Sequence, residues 1–122
     1  MRRTMNFDSS GTALDETNIS RTIQRAFVNA SGSGNTQVVA AQGGAIRIRV
    51  LAVVVIATLA VTVKFQSNIT DISAGFPVGA NGGCVLPYNP HGWFQTVADD
   101  PLNINLGVGT STGCQITWVQ AT

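Results

Sequence analysis

The chain has 122 residues, of which 11% are charged and 44% hydrophobic, and its net charge is +1. That length holds one domain. The charge balance excludes a general nucleic-acid binder, which needs surplus Lys and Arg against phosphate, and the Val- and Ile-rich content excludes a disordered chain. Charged residues fall far below the roughly 25% of an average globular protein, so much of the surface must be neutral. A part of an obligate assembly fits that composition.

Residues 1–35 read as an N-terminal arm. They hold four of the seven basic and three of the six acidic residues, and no β-rich run. Arg2 and Arg3 are not followed by an apolar core, so no export signal is expected. Ile19, Ile23 and Phe27 recur every four residues with Ala26 beside them, and Asp15 or Thr17 stands where a cap belongs. This spacing predicts a short helix with one narrow apolar stripe. A helix of about a dozen residues is marginal alone, so the stripe must dock on its own domain, on a neighbouring subunit or on a capsid. Ser31-Gly32-Ser33-Gly34-Asn35 then reads as a linker or turn.

From Thr36 the pattern is β. Val61, Val63 and Phe65 alternate with polar residues, as do Leu102, Ile104 and Leu106 with Asn103 and Asn105, and Cys114, Ile116 and Trp118 with Gln115 and Thr117. Such alternation puts one face in a core and one outside. Turn residues punctuate the runs at Gly43-Gly44, Asn81-Gly82-Gly83, Asn89-Pro90-His91-Gly92 and Asp99-Asp100-Pro101. Eight strands are predicted, near 36–41, 45–57, 60–67, 69–73, 83–88, 93–97, 102–108 and 113–121. The expected fold is all-β: an eight-stranded antiparallel sandwich of jelly-roll type over 36–122, preceded by the arm at 1–35.

The run from Ala45 to Ala57 breaks the alternation. Ile46, Ile48 and Val50 share one side, and the opposite side passes from Arg47 and Arg49 to Leu51, Val53 and Val55. A strand apolar on both faces is usually covered on both. Leu51, Val53 and Val55 are therefore expected to form a subunit interface. The apolar stretch Val50–Val63 is fourteen residues long, short of the roughly 20 that a membrane helix needs, so no membrane partner is expected.

Little in the chain suggests catalysis. His91, the single histidine, sits in a Pro-containing turn, and Asp99 and Asp100 are adjacent and so point apart in an extended chain. No Cys/His spacing matches a metal site, and no phosphate-binding loop occurs. Neither an enzyme nor a cofactor is expected. Cys84 and Cys114 share their alternation with core residues and read as reduced core thiols. Trp93, Phe94 and Trp118 have the shape to stack on a sugar, but more often fill the ends of a sandwich core.

The stretches Thr36-Gln37-Val38-Val39-Ala40-Ala41, Ile46-Arg47-Ile48-Arg49-Val50-Leu51 and Val61-Thr62-Val63-Lys64-Phe65-Gln66-Ser67 resemble the start of a phage structural-protein family. Ala80-Asn81-Gly82-Gly83, Leu86-Pro87-Tyr88-Asn89-Pro90, Gly92-Trp93-Phe94-Gln95-Thr96 and Leu102-Asn103-Ile104-Asn105-Leu106 follow in the same order. Residues 36–122 thus resemble the decoration, or cement, proteins of tailed-phage heads. The resemblance implies a virion protein that trimerises on the outer capsid surface, with the major capsid protein and its own copies as partners. A fibre or tail module that binds a receptor or glycan is the alternative it leaves.

Overall fold

A computed structural model describes residues 22–122, together with a short ladder between β1 (Phe7–Asp8) and β2 (Gly11–Thr12). The remaining strands are β3 (Gln24–Ala30), β4 (Gly34–Val39), β5 (Arg47–Ala57), β6 (Val61–Ser67), β7 (Thr70–Asp71) and β8 (Phe76–Val78), then β9 (Gly83–Leu86), β10 (Phe94–Gln95), β11 (Leu102–Leu106) and β12 (Thr112–Ala121). One sheet runs β10-β5-β12-β3, with β9 also on β5; the other runs β4-β11-β6-β7, with β8 also on β6. The strand pairs are antiparallel. β9 and β10 share one edge of β5, at Val53–Ile56 and Arg49–Val50 respectively, and β7 and β8 share one edge of β6 in the same way. Counting each such pair as one strand leaves two four-stranded layers, β3-β12-β5-β9/β10 and β4-β11-β6-β7/β8. That is the two-sheet layout of a jelly roll.

The core lies between the sheets. Ile48, Val50, Val53, Val55 and Ile116 from the first sheet meet Val63, Phe65, Leu102, Ile104 and Leu106 from the second, all 1% exposed or less. Apart from Leu102 and Leu106, these are the β-branched and aromatic residues that a half-buried pleated surface favours. Phe65 stacks on Phe94 with ring centroids 5.2 Å apart. Loop ends are tied down by side chains. Thr96 accepts from Ile48 N at 2.9 Å, and buried Ser67 accepts from Val97 N and donates to Asp100. Asp99, in the left-handed region at φ 67°, accepts from Ala45 N. The two adjacent aspartates therefore anchor different strand ends, as turn chemistry.

No helix occurs among the described residues, and the expected one is corrected where it overlaps them. Gln24–Ala30 is a strand, paired along its length with β12 from Gln24↔Trp118 to Ala30↔Thr112. Its Ala26, Val28 and Ala30 face inward while Arg25, Phe27 and Asn29 face out. A spacing of four is even, so Ile23 and Phe27 share a face in a strand as well as in a helix. Ile19 lies outside the described residues. The sandwich thus begins at Gln24 rather than at Thr36, with residues 31–33 as the turn between β3 and β4.

Candidate assembly surface

The outer faces of the two sheets differ in chemistry. On the second sheet, β4, β11 and β6 bring Asn35, Asn105 and Lys64 into one row and Gln37, Asn103 and Gln66 into the next. These side chains are largely bonded to their neighbours. Asn105 Nδ2 donates to Asn35 Oδ1, and Asn103 Nδ2 and Asn35 Nδ2 both donate to Asn68 O. Asp71 accepts from Gln66 and from Lys64, whose Nζ lies 3.1 Å away. The Gln66 hydrogen bond first, and then the one from Lys64, hold the Asp71 carboxyl below its usual range. This face is polar and internally satisfied.

The first sheet presents the opposite. Register places Phe27, Gln115, Val54 and Val85 side by side on β3, β12, β5 and β9. Phe27 is 74% exposed, Val85 64% and Val54 43%, and Ile56 in the next row is 58% exposed. Phe27 forms one wall of a shallow dent of about 230 Å³, whose other walls include Asn29, Val54, Ile56, Gly113 and Gln115. Gly113 has no side chain to fill it. The adjoining outward row holds Arg25, Thr117 and Ala52, so Arg25 is the one charged side chain in three rows.

The expected interface at Leu51, Val53 and Val55 is corrected by the same strand. All three are 1% exposed, and Val53 and Val55 belong to the chain's own core. The reason is a bulge. Thr117 pairs with Ala52 but Trp118 pairs with Val50, which leaves Leu51 as the extra residue on β5. One extra residue reverses which side the following residues face. Ile48 and Val50 point inward before it, and Val53, Val55 and Ala57 point inward after it. The outward positions become Val54 and Ile56, which the alternation in the sequence had assigned to the core side. The bulge is held by the 87–93 loop, where Asn89 N donates to Leu51 O at 2.9 Å and Trp93 N to Val50 O at 2.8 Å. Of the arm stripe, Ile23 is 49% exposed and Phe27 74%, so both stand free of their own sandwich.

The remaining sequence candidates are structural. Cys84 and Cys114 are free thiols, paired to Val55 from opposite sides. Two strand spacings, about 9.6 Å, separate their backbones, beyond the roughly 7 Å limit for a disulfide. Burial pushes the Cys114 thiol up to about 12. His91 N donates to Asn89 Oδ1 inside the loop, and Trp93 Nε1 donates to Pro87 O at 2.7 Å, leaving the indole 43% exposed. Trp118 is a core residue whose Nε1 has no partner. Among the described residues, no group of three His, Cys, Asp or Glu side chains is placed to hold a metal ion.

No protein-family model matches the chain, and no curated protein matches it. Solved structures resemble it at low identity. A subunit of the disulfide-linked pili that form Bacillus endospore appendages is 15% identical, with a TM-score of 0.45 over 92% of this chain and 98% of that one. A chain of the virus-like particle of extra small virus from the giant freshwater prawn Macrobrachium rosenbergii is 10% identical, with a TM-score of 0.39 over 92% of this chain and 86% of that one.

Proposed function

We propose that this protein is a non-enzymatic virion subunit: a decoration or cement protein that binds the major capsid protein on the outer surface of a tailed-phage head and stabilises it as a homotrimer. It is made in the host cytoplasm and acts on the virion. One observation carries the assembly part of this reading, the contrast between the sandwich's two outer faces. A polar, self-satisfied face suits water, whereas a row of Phe27, Val54 and Val85 at 43–74% exposure suits contact with protein. The decoration role itself rests on the resemblance of residues 36–122 to that family.

The alternative, a fibre module that binds a glycan, has Trp93 in its favour. Its Nε1 is fixed to Pro87 O while the ring stays partly open, which holds an indole face ready for stacking. Co-sedimentation of the full chain with purified empty heads separates the two. The decoration reading expects saturable binding at a fixed copy number that Trp93→Ala leaves intact. Absence of head binding, with glycan binding that Trp93→Ala abolishes, would replace it by the fibre reading.

A further inference from the structure

We infer that the outer face of the β3-β12-β5-β9 sheet is the contact between copies of this chain, with Phe27 of one copy seated against Val54, Ile56 and the Gly113 dent of the next. The inference deepens the reading of the protein as a self-assembling subunit and rests on it. Three features of the face argue for a second copy as its occupant.

The first is area. At their exposures the four apolar residues alone present roughly 450 Å², over half of the ~800 Å² that each partner contributes to a standard-size interface. The second is charge. A self-contact sets a face against residues of its own kind, so like charges within it would repel; here three rows carry only Arg25, at one corner. The third is shape. An exposed ring and the open dent that it walls lie on one surface, Phe27 on the edge strand β3 and Gly113 on β12. A knob and a socket on the same face allow a head-to-tail contact, and such a contact closes into a ring when its rotation permits. The trimer proposed above is a ring of this kind.

Light scattering of the full chain over a concentration series tests this, with Phe27→Ser, Val85→Lys and, as control, Ile69→Lys, which alters a residue 76% exposed away from this face. Wild type and the control are expected at three times the chain mass. The two face variants are expected at the single-chain mass, with association weakened on the order of 100-fold or more, the effect of losing an interface anchor. Circular dichroism of all four proteins, diluted until wild type is also monomeric, should be identical. Wild type at the single-chain mass throughout would overturn the inference, as would face variants that keep the wild-type mass. Face variants that keep their mass but lose head binding would give the surface to the capsid instead. Loss of mass in the variants, with no head binding by wild type, would uphold the self-contact and remove the decoration role.

Discussion

Adjacent residues on β5 should respond in opposite ways to the same substitution. Val53 is 1% exposed and packed in the core, whereas Val54 is 43% exposed on the outer face. Val53→Glu removes a buried side chain worth roughly 1.5–3 kcal/mol and forces a carboxylate into an apolar layer, or forces it to take up a proton there, at several kcal/mol more. A domain of this size has only about 5–15 kcal/mol of stability in total. The variant should be unfolded or lose most of its urea resistance. Val54→Glu places the same group in water and should shift the stability of the monomer by no more than about 0.5 kcal/mol, a few degrees in melting temperature. Urea titrations by circular dichroism, run at concentrations where each protein is monomeric, measure both. Equal destabilisation by the two substitutions, or greater damage from Val54→Glu, would refute the bulge at Leu51 and the face assignment built on it.

Phe65→Ala should cost about 3–5 kcal/mol in the same titration, since it empties a fully buried ring site between the sheets. At pH 8 an alkylating reagent should modify half-buried Cys84 first and reach Cys114 only on unfolding, as peptide mass mapping would show. Because burial raises the folded Cys114 value to about 12, its contribution is complete below the unfolded thiol range near 8.5 and fades as pH climbs toward 12. Melting temperature should therefore fall more steeply above pH 9 in wild type than in Cys114→Ala. Asp71 has the opposite sign: its lowered value means a contribution present above the ordinary 3.8 and lost as pH falls through the folded value. Melts of Asp71→Asn and wild type should therefore converge in strong acid.

The strand pattern was legible wherever polar and apolar residues alternate without interruption. Leu102, Ile104 and Leu106 are buried, and Asn105 between them faces out to bond Asn35. Each of the eight predicted strands overlaps an observed one. Within residues 22–122, two strands escaped. β8 is three residues around Pro77, too short to carry a period. β3 escaped because Ile23 and Phe27 at a spacing of four satisfy a helix and a strand alike, and the choice was made by pairing with β12, a partner some ninety residues away. The apolar outer face was hidden for a third reason. Sequence alternation along β5 carries no mark of the extra residue at Leu51, which shows only when Thr117 and Trp118 are set opposite Ala52 and Val50. Everything after the bulge was therefore assigned to the wrong side, and Val53 and Val55 exchanged places with Val54 and Ile56.

The most direct test of the account is hydroxyl-radical footprinting of the full chain, assembled and then diluted to monomer, read by peptide mass spectrometry. Phe27 and Val85 should be protected in the assembly and labelled on dilution, while Ile69, exposed to a similar degree, is labelled equally in both. Labelling of Phe27 and Val85 that does not change with assembly would contradict the claim that this face is where the protein meets its neighbour.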